Sequence, residues 1–320
     1  MGMCGVRVHV VFRRSTVFRW LFPGVLPQAV RRPHSAIWLY RKPVGETSSG
    51  VVQRFRDSHA GPWPLKVSHG GVLDPFAHGL VLVLVGAANR LFELLHEAPK
   101  QYVARVEWGR ETDTGDGGGR VVREAAAAAL TETQLDAALR DFLGWKKQVP
   151  PATSNKRVDG ERAYQKAHRG EVVELSAQDV YLHEARWLAH ALPSHSTLAL
   201  TVRGGFYVRS LAVELGRVLG SAAHLSQLER AAIGPWTHHD TPVQLTGADV
   251  LPWLPSVTLD DTEWGHLKRE GRLARPRKVD APSWLMPTGF PAPSGVRYLH
   301  QRRLVAVARG EGLTLLPGGV

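Results

Sequence analysis

The stretch SHGGVLDPFAHGLVLVLVG, residues 68–86, gathers side chains able to do chemistry. Asp74 stands between a glycine pair and Pro75, with His69 five residues before it and His78 four after. Three chemistries are open to this set. Two imidazoles and a carboxylate can ligate a metal ion, as a hydrolase would use one. A carboxylate held on a rigid turn can serve as nucleophile, acid or base. An aspartate before proline can also do no more than satisfy backbone N–H groups at the mouth of a buried strand. The spacings weigh against a metal. The glycines and Pro75 exclude a helix that would bring both imidazoles to one face, and a single cysteine, Cys4, offers no thiolate set. A second acidic stretch, DTGDGGG, places Asp113 and Asp116 three apart without the acid a calcium loop carries at its twelfth position. GDGGGR lacks the Lys-Ser/Thr of a phosphate loop. Neither a metal nor a cofactor is expected.

The elements that must position Asp74 are partly readable. AIWLYRKPVG is a short apolar strand ended by Pro43 and Gly45. TSSGVVQRFR is a helix capped by Thr47 or Ser48, with Val51, Val52 and Phe55 inward. LVLVLV is a buried strand, and AANRLFELLHEA carries Leu91, Leu94 and Leu95 at helical spacing. In QYVARVEWG, Tyr102, Ala104, Val106 and Trp108 alternate with a wetter face. RETDTGDGGGRVV is a glycine-rich turn region, and a helix follows from a Thr133 cap to Gly144. Strands over VVELSAQDVYLHEARWLAH and STLALTVRGGFYVRS precede two expected helices, LAVELGRVLG and AAHLSQLERAAIG. The mixture lacks the regular alternation of a doubly wound sheet. The expected class is α+β, a mixed, largely antiparallel sheet with flanking helices and a small β-rich C-terminal module.

The 320 residues are enough for a large core, and no apolar run reaches the length of a membrane helix. The net charge is +11, but residues 1–45 hold eight Arg or Lys and no acid, leaving +3 for the rest. The basic excess is therefore mostly N-terminal and supports a polyanion partner only weakly. Residues 1–35 are set apart as a basic extension, disordered or not native, and the alternative of a targeting segment stays open. Past residue 250 the chain becomes rich in proline and basic residues, then gives short strands with glycine turns.

Five blocks in order carry a resemblance. KVSHGGVLDPFAHG resembles the signature of the bacterial TruB-type tRNA pseudouridine-55 synthases, roughly Lys-x-Gly-His-x-Gly-Thr-Leu-Asp-Pro-x-Ala-x-Gly. RKPVGETSSGVV is similar to their opening block. KQYVARVEWGRETDTGDGGGRVV resembles their Lys-x-Tyr strand and Thr-Asp loop, QVPPATSNKRVDGERAYQKAHRG their Gln-x-Pro-Pro block, and RGGFYVRSLAVELGRVLGSAAHLSQLER their Gly-x-Tyr-x-Arg block. The match runs from residue 36 to about 236.

By that resemblance Asp74, Tyr102 and Arg209 are catalytic, and His69, Tyr207, Leu228 and Lys66 bind substrate. The resemblance implies the pseudouridine synthase fold over residues 36–248 and an RNA-binding module of PUA type over 249–320. It implies a cytoplasmic, monomeric enzyme that isomerises the T-loop uridine of tRNA, with no cofactor and no membrane. The alternative within the family is a catalytically weak tRNA-binding and folding chaperone. Chemistry supports the enzyme. The target base must be flipped from a folded loop, an aromatic face helps to hold it, and a positioned arginine offsets the cost of burying a charged carboxylate. Several positions depart from the pattern. Arg41 stands at a usual aspartate, Ser68 at a glycine, His78 at a threonine, Thr153 at a tyrosine and Arg157 at a lysine. Glu229 inverts one charge of a Leu-Arg-Arg run. In the C-terminal module, Lys268, Arg269, Arg272, Arg275, Arg277 and Lys278 could meet phosphate.

Overall fold

In the computed structural model, which describes residues 34–59, 66–158, 160–245, 247–273 and 278–320, the LVLVLV run is the most deeply enclosed strand. Residues 1–33 of the basic extension, and Arg275 and Arg277, lie outside the described residues. The chain begins with β1 (Ala36–Lys42), α1 (Ser48–Ser58), β2 (Val67–His69), β3 (His78–Val85), α2 (Phe92–Glu97) and β4 (Lys100–Trp108). Then come β5 (Arg110–Thr112), β6 (Val121–Glu124), α3 (Glu132–Arg140), β7 (Gly144–Gln148), β8 (Arg157–Val158), β9 (Glu161–Arg162) and α4 (Ala163–His168). They lead to β10 (Gln178–Ala191), β11 (His195–Val202), α5 (Val208–Val218), β12 (Ala223–Ile233), β13 (Trp236–Thr237) and β14 (Val243–Leu245). The C-terminal part adds β15 (Ser256–Leu259), α6 (Asp261–Glu270), β16 (Val296–His300), β17 (Arg303–Arg309) and β18 (Gly312–Leu315).

Among the described residues ten strands join in one sheet, ordered β14-β1-β3-β12-β4-β11-β10-β7, with β2 on β3 and β13 on β12. Its pairings are antiparallel except β3 with β12. This is the mixed, largely antiparallel architecture expected. Because side chains alternate along a strand, β3 feeds two cores. Val81, Val83 and Val85 pack with α1, α3 and α5 residues such as Phe55, Leu135 and Leu211. Leu80, Leu82 and Leu84 pack with Leu91, Leu95, Trp253, Leu304 and Val307. A strand covered on both faces reads as one unbroken apolar run. The parallel contact of β3 with β12 is close. A Cβ on Gly79, whose φ is +112°, would lie 2.3 Å from the Arg230 carbonyl oxygen, so this position requires glycine.

The C-terminal sheet, ordered β15-β16-β17-β18, lies between two apolar layers. Leu304, Val307, Leu316 and Val320 belong to the core shared with β3, whereas Val305 and Ala306 meet Val257, Leu259 and Leu267 on the side of α6. α6 did not figure in the sequence reading. Asp260 and Glu263 form a capping box at its start, and Gly271 ends it in the left-handed region.

Three expectations are corrected. AAHLSQLERAAIG is a strand, β12, not a helix. Its alanines and leucines suit a helix, but β3 and β4 offer an open ladder on both sides, and tertiary pairing overrides local preference. Thr131, not Thr133, caps α3, in a reciprocal box with Gln134. Arg209, read at the end of a strand, sits in the first turn of α5, with Tyr207 at its N-cap. No helix among the described residues is long and apolar enough to cross a membrane.

Candidate active site

The loop carrying Asp74 is held at most of its backbone carbonyls. Gly70 donates its N–H to the Leu82 carbonyl at 2.7 Å. Arg230 on β12, 1% exposed, donates to the carbonyls of Leu80 at 2.7 Å, Val72 at 3.0 Å and Gly71 at 3.3 Å. Ser48, in the first turn of α1, accepts the Leu73 N–H at 2.8 Å and donates its hydroxyl to the Leu73 carbonyl at 3.2 Å. Beyond Asp74, the Gly45 N–H reaches the Pro75 carbonyl at 2.7 Å, and the Ala77 N–H closes a turn onto the Asp74 carbonyl at 3.1 Å. Lys42, fully buried at the end of β1, donates to the carbonyls of Pro75, Ala77, Pro43 and Glu46. Burial pushes its ammonium down to about 8, against the favourable charges of Glu46 and Asp74. Two buried cations thus clamp the loop, Arg230 before Asp74 and Lys42 after it.

Asp74 meets Arg209, 135 residues away, through both oxygens. Arg209 donates Nη2–H to Oδ1 at 3.0 Å and Nε–H to Oδ2 at 2.9 Å. This is the fork geometry that makes arginine–carboxylate pairs strong. The guanidinium side chain is 4% exposed and the carboxylate 29%, so the pair is buried on the arginine side and open on the aspartate side. The remaining Nη1 donates to the Thr114 carbonyl at 2.8 Å and the Thr153 hydroxyl at 2.7 Å, with Asp116 Oδ2 at 3.5 Å. Every nitrogen of the group is engaged, and its rotation is fixed. Thr153, noted in sequence only as a departure, is therefore a direct partner of Arg209.

The acids of DTGDGGG are engaged mainly within the loop, apart from the Asp116 contact to Arg209. Asp113 accepts the Arg120 N–H and pairs with the Arg120 side chain. Asp116 accepts from the Gly118 N–H and the Thr114 hydroxyl. Among the described residues no three His, Cys, Asp or Glu side chains converge as a metal-ligand set.

The other expected site residues fall at different distances from this pair. Tyr102, 8% exposed on β4, is paired with Arg230 and Leu200 and lies in one apolar cluster with Leu73 and Ala77, the neighbours of the Asp74 turn. Leu228, opposite Ala104, belongs to the same cluster and the same sheet face. Tyr207 is half-buried. Its phenol is raised by burial, with the Asp74 charge adding to the effect. Its backbone is gripped by Gln148, which accepts the Tyr207 N–H at 2.8 Å and donates to its carbonyl at 3.1 Å. His69 ends β2. Its ring is lowered first by burial and then by the charge of Arg230, and its Nδ1 is buried without a partner. Lys66 points to solvent, and only its carbonyl, bonded by Gly86 and Asn89, has a structural part. Ser48, Lys42, Arg230, Thr153 and Gln148 were not singled out as site residues. Arg230 stands beside Leu228 by strand alternation, which the helical reading of this stretch concealed.

Residues 62–208 match the family model described as TruB family pseudouridylate synthase, N-terminal domain. The tRNA pseudouridine synthase B of Paracoccus denitrificans is 42% identical over 202 residues, which cover 62% of this chain and 65% of that protein. That of Dehalococcoides mccartyi is 36% identical over 237 residues, 69% of this chain and 77% of the relative. That of Xanthomonas campestris is 34% identical over 258 residues, 78% and 82% of the two chains. Among solved structures, a chain in a Cbf5-Nop10-Gar1 complex superposes with a TM-score of 0.58 at 21% identity, covering 88% of this chain and 79% of that one. A chain in an archaeal box H/ACA Nop10-Cbf5 complex gives 0.58 at 19% identity, with 88% and 82% covered. At such identity these two speak for the fold alone. The sequence relatives reach further, and with Asp74 locked to Arg209 on a clamped loop they make this chain a member of the TruB family of pseudouridylate synthases.

Proposed function

We propose that this protein converts the T-loop uridine at position 55 of tRNA to pseudouridine. The observation that carries this reading is the Asp74 carboxylate, exposed on one side and forked to a buried Arg209 on the other. The reaction breaks the N1–C1′ bond, turns the base and joins C5 to C1′. The C5 proton is lost and N1 gains one, so the product is an isomer of the substrate and no oxidant or cofactor is needed. Asp74 acts on the flipped nucleotide as nucleophile or as proton acceptor. Arg209 holds the carboxylate in its ionised form and aim. Tyr102 and Leu228 form the wall against which the uracil rests, with Tyr102 near enough to share in proton transfer. Tyr207 borders the same pocket, His69 contacts the RNA beside the flipped base, and Lys66 meets its backbone. Residues 36–248 act as the catalytic body and 249–320 as the RNA-binding module, in a monomer that works in the cytoplasm. Mapping pseudouridine in unmodified tRNA tests the proposal. Wild-type protein should modify the T-loop uridine, and Asp74→Ala should abolish the product while tRNA binding stays within a few-fold. Wild-type protein that binds tRNA but forms no pseudouridine leaves only the chaperone reading.

A further inference from the structure

Outside the uridine pocket, one cluster on the large sheet has no part in the chemistry above. β7 is the last strand of the sheet, and three of its five residues, Trp145, Lys146 and Lys147, are exposed. Edge strands are commonly protected by lysines, which accounts for Lys146 and Lys147. It does not account for Trp145, which leaves 53% of its surface to solvent. A large indole in that position is unfavourable unless something covers it at work.

The indole is held rather than loose. Trp145 stands directly opposite Tyr181 on β10, with ring centroids 5.2 Å apart. The guanidinium of Arg203 lies over its ring at 5.8 Å. Arg203 is fixed in turn. Its N–H donates to the Tyr181 carbonyl at 3.0 Å, and its Nη2 reaches Glu97 at 3.1 Å. Glu97 is also gripped by Arg309 of β17 at 2.9 Å. Gly204 locks the following turn against α2, where a Cβ would lie 2.0 Å from the His96 carbonyl oxygen. Tyr181 is braced by its hydroxyl bond to the Gly289 carbonyl at 3.1 Å and by the Phe290 ring at 5.8 Å.

The surroundings are positive. Lys147 shares the strand face of Trp145, and Lys156 is near enough for its charge, with those of Lys100 and Arg203, to lower His96. Lys147 pairs with Asp179, and Arg203 shares Glu97 with Arg309, so with Lys156 the cations outnumber the acids here. Trp145 is three residues, roughly 10 Å of strand, from Gln148, which fixes the backbone of Tyr207. Trp145 pairs with Tyr181 where Gly144 pairs with Leu182 of the Tyr102 cluster, so the indole lies on the other face of the sheet edge.

We propose that Trp145, backed by Arg203 and with Lys147 on the same strand face, is an RNA contact at the edge of the sheet, on the face away from the uridine pocket, on which an unpaired base of the substrate stacks. This rests on the RNA-modifying function proposed above. A rigid aromatic face bordered by a net positive cluster fits a nucleobase and its phosphate.

The test compares wild-type, Trp145→Ala, Trp145→Phe and Lys147→Ala proteins for binding and modification of unmodified tRNA. Trp145→Ala should weaken binding and raise KM about 5- to 150-fold, the range to which the stacking energy of one base converts. Its kcat should stay within about twofold, and Trp145→Phe should recover most of the loss. Lys147→Ala should lower the slope of log affinity against log salt by about one. It reads the same surface if Trp145→Ala does not fold. Wild-type affinity and KM in folded Trp145→Ala overturn the contact while leaving the enzymatic reading intact. A changed oligomeric state with unchanged RNA binding overturns it in favour of a protein interface. Absence of pseudouridine with the wild-type protein overturns the enzymatic reading, and the binding arm then still decides the contact.

Discussion

Ser48→Ala separates the holding of the catalytic loop from its chemistry. The Ser48 hydroxyl lies between the N–H and the carbonyl of Leu73, at 2.8 and 3.2 Å, one residue before Asp74. Leu73 is 3% exposed, so water does not replace the lost acceptor. An orphaned buried N–H costs roughly 1–3 kcal/mol. In a chain of 320 residues a loss of about 2 kcal/mol corresponds to a drop in Tm of roughly 3 °C. Arg230, Lys42 and Arg209 continue to restrain the loop, so the fold survives. The aim of the carboxylate suffers, and a misplacement near 1 Å costs on the order of 10²-fold in rate. With Arg209 still forked to Asp74, the expected loss in kcat is about 10- to 100-fold, and tRNA affinity changes little. Single-turnover pseudouridine formation read beside thermal melting tests this. A variant with the lower Tm and kcat within twofold of wild type would show that Arg209 alone aims Asp74, and the pinning argument would be wrong.

Arg209→Lys retains the charge but not the fork. It strips a donor from Asp74 and abandons the Thr114 carbonyl and the Thr153 hydroxyl, so kcat should fall by about 10²-fold or more with tRNA affinity within a few-fold in a filter-binding assay. His96 governs acid stability. Burial, then the charges of Lys100 and Arg203, lower it to about 4, so the folded protein refuses a proton that the unfolded chain accepts below about 6.5. Stability should therefore fall as pH drops from about 6.5 to 4, by at most about 3 kcal/mol from this group. Urea midpoints across that range should flatten in His96→Phe, and an equally steep decline in the variant would remove His96 as the cause.

Asp74 was legible as a candidate because its neighbours are unusual. Glycines and a proline before an apolar run mark a rigid turn, and the motif company of Tyr102, Tyr207 and Arg209 supplied roles that spacing alone left open. Strands with clean alternation, such as β4, were equally plain. β12 was not, since its Ala, Leu and Gln residues favour a helix and only two flanking strands decide otherwise. That misreading hid Arg230, whose inward position depends on a period of two. Lys42 and Ser48 were hidden for another reason. Their targets are backbone carbonyls and one amide, and backbone groups leave no mark in a sequence. Thr153 shows the limit of pattern matching. It appeared as a loss relative to tyrosine, and the structure shows its hydroxyl on Arg209.

The double-sided burial of β3 bears on how the two halves of this protein can change. Leu80, Leu82 and Leu84 face Trp253, Leu304, Val307 and Leu316, so the C-terminal sheet roofs the strand that leaves the catalytic turn. Cutting the chain near residue 248 would bare the leucine face of β3, the strand that follows the Asp74 turn. The C-terminal part is thus no detachable adaptor. Drift in its inner layer is constrained by the packing against β3, and only its outer layer, around α6, is free of that constraint.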